Sequence, residues 1–530
     1  MSRTWIDGTS PFVSAANLNG MEADITSALG VPDGALASRI NDTGSQARGA
    51  LNAIYDRVVT ATGLVGGTDV TTALQGFMTT AQTNKVPLVI PAPANGMAYK
   101  VSAILQAWSG ARIFSRGAVL DFQTDHSATG RGFFIGSAAG GAGISDVQVF
   151  GLKVISTNAT ARNGVYGLIS VFDSTDILLQ DCWVGNSTAG SGGEGGGVYT
   201  QNTTDFRYVR LRVQNSLADG IHTSRGSLRG VIDHPVVIGA QDDGVSVVSN
   251  KQDGTGPIYG PCQYIEIIQP VVLNSTVLGA GVSLVGAQDC TVVGGSIDGV
   301  PDSIVVVAQA NYGGIINPAR NTIIGVTGTN SAKAAGALRV ANADRTTIVG
   351  CELSGNVGGY SILSSTRTKV SGGGVSSTGG DMGVYADSAS PRTIVTGMDL
   401  SGNGATGYKV YRGTTAGAEN VLVTTLGQDV LTYTDTGSAG SAATLPASDT
   451  AGLTMSTVTL GTTATTGGTF TAGTYYWKVT AIDSKGESLG SNEVTATLAA
   501  NGTQVLNWGA VINAYLLQGA GSVQSGNITT

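Results

Sequence analysis

The 530 residues carry 36 acidic and 28 basic side chains, a formal charge of −8 with no Lys/Arg cluster, which excludes the electrostatic footprint of a nucleic-acid-binding protein. Charged residues make up only 12% while glycine reaches 79 and hydrophobic residues 41%, the balance of an ordered all-β protein with many tight corners. No apolar run approaches the roughly 18 residues of a membrane span, and the polar start MSRTWIDGTS is no signal peptide, so synthesis in the cytoplasm without membrane insertion is expected.

The first 62 residues read as helical. In AANLNGMEADITSALG the residues Leu18, Met21, Ile25 and Ala28 fall at steps of three and four, and in QARGALNAIYDRVV the residues Ala47, Leu51, Ile54 and Val58 do the same. Such short amphipathic helices are marginal alone, so each stripe needs a partner, either the chain's own core or the same helix in sister subunits. A further helix is predicted in TDVTTALQGFMTTAQTNK, with Leu74, Phe77, Met78 and Ala81 on one face, followed by short strands in VPLVIPAPANGMAYKVSAIL and ARIFSRGAVLDF.

From about 145 to 403 the chain repeats itself. Segments such as SDVQVFGLKVIS, TDILLQDCWVGNS, TDFRYVRLRVQNS and QYIEIIQPVVLNS each hold a polar corner, an Ile/Val strand, a turn and a second short strand. Between them lies a second set, including DGIHTS, DDGVSVVS and GAGVSLVG. Copies start roughly 22 to 36 residues apart and give about three strands each, the anatomy of a parallel β-helix. A propeller would need antiparallel blades of about 40 residues, longer than these copies. The domains are therefore read as a helical segment at 1–62, a β-helix at 63–403 and a β-sandwich at 404–530. The last of these has longer alternating strands, and SAGSAATLPASDTAGLT between them reads as a linker.

Few residues offer chemistry. Cys182, Cys262, Cys290 and Cys351 lie far apart without metal-ligand spacing and read as buried thiols, and only three histidines exist, so no metal and no cofactor is expected. The acids stand out. Asp219 in SLADGIHTS precedes Asp242 and Asp243 in AQDDGVSV by roughly 23 residues, about one coil, so the three are expected on one face. Carboxylates on neighbouring coils can take the separations that glycoside hydrolysis uses, and crowding raises the pKa of one of them. The bland reading is turn-making, with Asp capping backbone amides and the following Gly at positive φ. Two adjacent acids in a turn can also bind Ca²⁺, though its ligand set is not visible as a motif. The long NKQDGTGPIYG insertion would overhang the site, which adds Tyr259 to Gln241 and His222 as candidate substrate contacts. Tyr475 and Trp477 are candidate sugar platforms in the tail, with core packing as the competing reading.

These stretches carry three resemblances. The region 64–403, most specifically GTDVTTALQGFMTTAQTNKVPLVIPAPANGMAYKVS and the coil repeat, resembles the pectate-lyase-like right-handed β-helix of phage tail spikes and polysaccharide-degrading enzymes. The start TWIDGTSPFVSAANLNGMEADI is similar to the N-terminal segment of phage minor tail proteins. The tail, with Tyr408 to Gly437 ahead of Thr474 to Val494, resembles fibronectin type III modules in an order that a permuted sandwich, the favoured reading, two partial modules, or halves completing one another between subunits would give. The first two imply a homotrimeric spike or fibre at the tail tip of a virion, attached to other tail or baseplate proteins through its N-terminus and facing a host surface glycan. Its function would be polysaccharide binding during adsorption, with active depolymerisation and a purely structural spike as alternatives. Asp219, Asp242 and Asp243 match the acids of polygalacturonases, but Ala280 stands where those enzymes carry a histidine and no Arg-x-Lys comes after it, so the implied catalytic set is incomplete.

Overall fold

The computed structural model describes residues 58–123, 132–136, 143–157, 167–185, 196–250, 258–333, 336–376, 383–402, 405–427, 430–451, 453–483, 486–509, 511 and 524–526. The predicted N-terminal helices lie outside them. The chain divides into two compact units, Met1–Thr60 and Ala61–Thr530, and the second holds the long sheets.

This unit opens with α1 (Thr71–Asn84), which buries Leu74, Met78 and Ala81 against the strand Leu88–Pro91. Its start is fixed from outside the helix. Asp69 accepts the Thr71 N–H (2.9 Å) and hydroxyl (2.6 Å) on one carboxylate oxygen and the Ser102 hydroxyl (2.5 Å) on the other, so the side chain caps the first turn and ties it to the adjoining coil.

Beyond α1 the fold is mainly β, a right-handed parallel β-helix built from three long parallel sheets. Each coil gives one strand to each sheet in turn. One coil runs through Asp219–Ser224 (sheet C), Leu228–Asp233 (sheet A) and Val236–Ile238 (sheet B) before Val245–Val248 restarts sheet C above it. Alternation along each strand sends one set of side chains inward. In sheet C the register Ile221↔Val245↔Val282↔Val305↔Leu338 stacks five fully buried aliphatic residues on successive coils. Each such side chain contributes about 1.5–3 kcal/mol by leaving water.

The corners between sheets are held by residues in the left-handed region, which recur at fixed register. One column alternates Asn215, Gly239, Asn274, Gly299, Asn330 and Gly355, all with φ between 53° and 69°. Asn and Gly are the residues that reach this region at least cost. At two of its three glycines the alternation also has a steric side, for a Cβ on Gly239 would stand 2.9 Å from Asn215 Oδ1 and one on Gly299 3.0 Å from Asn274 Oδ1, whereas at Gly355 the Asn330 Oδ1 is 3.6 Å away, an ordinary contact. A second column carries Asp146, Asp176, Asp205, Arg229, Tyr264, Asp289, Arg320, Arg345, Arg367 and Arg392, where Arg229 pairs with Asp205 (2.7 Å) and Arg320 with Asp289. The four cysteines are buried and free, and burial pushes Cys182 and Cys290 up to about 12, which leaves them inert thiols.

After Asp399–Gly402 the chain forms two antiparallel sheets about one core. The larger sheet includes Gly407–Gly413, Val421–Gly427, Gly473–Ile482 and Val494–Leu498, and the smaller has Thr503–Asn507 between Thr432–Asp435 and Thr459–Ala464. The last long strand in sequence thus lies in the middle of its sheet. The segment read as a linker is part of this fold, because Ala451 and Leu453 belong to the core. Past the sandwich, Gln524–Gly526 pairs in parallel with Ile394–Thr396 of the β-helix.

Substitution tests the corner column. Gly239→Ala meets both the left-handed backbone cost and the Asn215 contact, whereas Gly325→Ala (φ +64°, open space around it) meets the first alone. Urea denaturation should find Gly325→Ala destabilised by about 1–2 kcal/mol and Gly239→Ala by more; equal losses would contradict the steric basis of the alternation.

Candidate functional site

The register Ile221↔Val245 sets Asp219 against Asp243 on the next coil, and Val245↔Val282 sets Asp243 against Ala280. The parallel ladder therefore stacks the acids as their sequence spacing predicts. Asp219 is almost fully buried, while Asp242 and Asp243 are part-buried, and one carboxylate oxygen of each lies within 4.8 Å of the others.

The three acids are held differently. Asp219 Oδ1 accepts the Asp243 N–H (3.1 Å), and Asp243 Oδ1 accepts the Ala280 N–H (2.6 Å), so each of these carboxylates caps a backbone amide of the following coil. Asp219 Oδ2 also accepts the Ser246 hydroxyl (2.6 Å) and is joined to His222 Nδ1, with Ser246 Oγ 2.9 Å from the same nitrogen. Asp242 makes no such bond to the next coil among the described residues. Burial foremost, and then the Asp219 charge, push its carboxyl up to about 6, opposed by the His222 ring and the adjacent Asp243 N–H. Asp243 is raised well above the usual carboxylate range, by burial and then by Asp219 and Asp242.

The glycines play a different part from the turn-making expected of Asp-Gly. Gly220 and Gly244 are not among the positive-φ residues. They are needed because a Cβ there would stand 2.4 Å from Val237 Cγ1 and 2.5 Å from Val272 Cγ1, where sheet C presses on sheet B. The residue with positive φ is Gly279 (+90°), whose Cβ would meet the Asp242–Asp243 peptide at 2.3 Å. Only glycine lets the next coil close over the acid pair.

Beside the acids runs a strip of alternate sheet C positions, Tyr199↔His222↔Ser246↔Ser283, which by strand alternation faces away from the aliphatic core and is itself buried from solvent. The Tyr199 and His222 rings stack at 4.8 Å and 16°, and Phe172 meets Tyr199 edge-on at 5.4 Å. Sequence reasoning placed Asp219, Asp242, Asp243 and His222 here but missed Tyr199, Ser246 and Ser283. A signal for the serines exists in the recurring Gly-Ile-His, Gly-Val-Ser and Gly-Val-Ser of residues 220–222, 244–246 and 281–283.

The other candidates separate. Gln241 adjoins the acids, its backbone carbonyl accepting the Leu278 N–H (2.8 Å). Tyr259 lies beyond the far end of the sheet C strands, lining a groove with Gln288 and Ile315. Tyr475 and Trp477 are core residues, which corrects their reading as sugar contacts: Trp477 is fully buried with Nε1 donating to Asp435 (2.9 Å), and the Tyr475 hydroxyl donates to the Thr471 carbonyl (3.0 Å). As a cation site the cluster offers three carboxylates, against the about six to eight oxygens that Ca²⁺ takes.

Among known protein families, the one described as "Periplasmic copper-binding protein (NosD)" matches residues 265–429. No curated protein matches. Solved structures of similar fold include Geobacillus virus E2 ORF18 (12% identity, 86% of this chain and 79% of that chain, TM-score 0.48) and the Dettilon tailspike protein gp208 (13%, 85% and 93%, 0.42). The A-module of Azotobacter vinelandii mannuronan C-5 epimerase AlgE4 is a third (12%, 64% and 94%, 0.42). The structural neighbours thus include phage tailspikes and parallel β-helix enzymes.

The raised carboxyl of Asp242 has a consequence for stability. A carboxyl whose folded pKa exceeds its unfolded value of 3.8 disfavours the ionised folded state, so this cost is present at neutral pH and vanishes below about pH 4. Asp242→Asn should stabilise the protein by about 1–3 kcal/mol at pH 7 and leave it unchanged near pH 4, measured by denaturant midpoints. A loss of stability at pH 7 would mean that Asp242 is a structural turn residue.

Proposed function

We propose that this chain is a bacteriophage tail spike or fibre protein that binds a host cell-surface polysaccharide during adsorption, at the part-exposed acid pair where its sheet C strands begin. The observation that carries this reading is the half-buried Asp242–Asp243 pair, set beside Asp219 on the solenoid, where among the described residues Asp242 makes no side-chain bond to the next coil. Carboxylates fixed in this way accept hydrogen bonds from sugar hydroxyls at little cost in ordering. Residues 1–62 would attach to other tail or baseplate proteins, 63–403 would present the glycan face, and 404–530 would form the fibronectin-III-like sandwich.

A second reading, hydrolysis of the bound glycan, is favoured by the Asp242 carboxyl at about 6. It can hold a proton for a leaving oxygen near neutral pH, with the neighbouring carboxylate of Asp219 as nucleophile or base. A separation within 4.8 Å is nearer the about 5 Å of retaining enzymes than the wider gap of inverting ones. A purely structural spike would neither bind nor cut a glycan.

Incubation with purified bacterial capsule and cell-wall polysaccharides, with assays of binding and of new reducing ends, separates the three. Hydrolysis should fall as pH rises through about 6, as Asp242 loses its proton, and Asp242→Asn should reduce it by 100-fold or more, roughly the worth of a positioned general acid. Binding without reducing ends leaves the adhesin alone, and neither leaves the structural spike.

The homotrimer has a candidate face in sheet A. Ile268, Val293, Ile324 and Val349 stand in register on four successive coils, with Ile324 38% and Val349 37% exposed. Native mass spectrometry should give three times the 53.3 kDa chain mass, and Ile324→Asp should shift the protein toward monomer. A wild-type monomer would count against the spike reading.

A further inference from the structure

The corner from sheet C to sheet A is not uniform along the solenoid. Most coils turn it in a few residues, as at 286–290 between Val282–Val285 and Thr291–Val293. The coil before and the coil after carry long connections, 249–262 and 309–321. These flank the short corner on either side, and its Gly286 is boxed in by both: a Cβ there would stand 3.0 Å from Ser249 Cβ and 2.7 Å from Ala310 Cβ. Beside the short corner lies a groove of about 440 Å³, lined by Tyr259, Pro261, Gln288, Ile315 and Asn317 among others.

The far wall is rigid. Ala310 and Ile316 exchange two 3.0 Å backbone hydrogen bonds, closing a small hairpin that lifts Tyr312 (50% exposed) and Ile315 (66% exposed) into solvent. The near wall exposes Ile258 (70%) beside Tyr259. The floor is made of amides: Gln288 Nε2 donates to the Asn317 carbonyl (3.1 Å) and Gln309 Nε2 to Asn317 Oδ1 (2.5 Å). Among the described residues, no acid or base lines the groove.

We infer that this groove is a second saccharide-binding subsite, taking a neutral sugar unit of a polysaccharide whose other end lies at the aspartate cluster. The volume suits one small ligand. Aliphatic and aromatic walls pack the C–H faces of a pyranose, fixed amides meet its hydroxyls, and the lack of charge selects against an anionic unit. The cluster lies before the sheet C strands and the groove after them. From Asp243 to Ser249 the chain advances about 20 Å, a reach that an oligosaccharide spans and a disaccharide does not. This subsite rests on the reading of the chain as a polysaccharide binder, and the groove would set the minimum ligand length.

The test uses the full chain. A printed array of bacterial surface polysaccharides identifies a ligand, which is cut to graded fragments for calorimetric titration against wild type, Tyr259→Ala, Ile315→Ser and Asn317→Asp. All three positions are exposed or half-buried, and unchanged melting curves check the fold. The expected result is a 10-fold or greater weakening for fragments of hexasaccharide length or more, with unchanged affinity for the shortest fragment that wild type binds. Equal affinity of wild type and all variants for every length, or equal weakening at every length, overturns the groove while leaving the polysaccharide reading in place. Wild type that binds nothing on the array overturns both.

Discussion

The arrangement depends on one constraint, the in-register parallel pairing of each coil with the next. Hydrogen bonds between coils satisfy the backbone, and the same register fixes which side chains share a column. A slip of one residue in Asp219–Ser224 would turn Ile221 out of the core, and it would also move Asp219 away from Asp243. Core and site are thus specified by a single alignment. Positions in contact across coils are about one repeat apart in sequence, which is why a site assembled from residues 199, 222, 246 and 283 is as rigid as the wall that carries it.

Within the acid cluster the same alignment distributes labour. Asp219 and Asp243 each give an oxygen to an amide of the coil above, as a structural residue would, whereas Asp242 is crowded and makes no such bond among the described residues. A carboxyl raised to about 6 at a cost to stability is what the proposed glycan site would draw on. The buried His222 is joined to Asp219 and opposes the rise of the Asp242 carboxyl, and its ring extends the aromatic stack of Phe172 and Tyr199. It organises the strip from the solenoid side.

Much of this was legible in the sequence because the β-helix writes its period openly. The Ile/Val strands, the Asp and Asn corners and the offset between Asp219 and Asp242 gave the sheets and the stacking of the acids. Three things were not legible. The glycines after Asp219 and Asp243 read as turn residues, yet they serve the close approach of two sheets, a demand set by Val237 and Val272 in other strands. Tyr475 and Trp477, two apart on one strand, share a face, and the sequence alone does not show that this is the face Phe470 covers. The segment 438–454 has linker composition, and only the tertiary fold shows that Ala451 and Leu453 are buried in the sandwich.

The short strand Gln524–Gly526 bears on how the solenoid is closed. A parallel solenoid exposes a row of unpaired backbone groups on its final coil, an invitation to further copies of the same surface. Here that row on sheet A is covered by a strand that arrives only after the whole sandwich has been built. The sandwich is therefore spliced into the solenoid between its last full coil and its lid. Translation order then leaves the growing edge open until residues 524–526 emerge, so a truncation just beyond Val511 would spare every long strand and still unseal the stack.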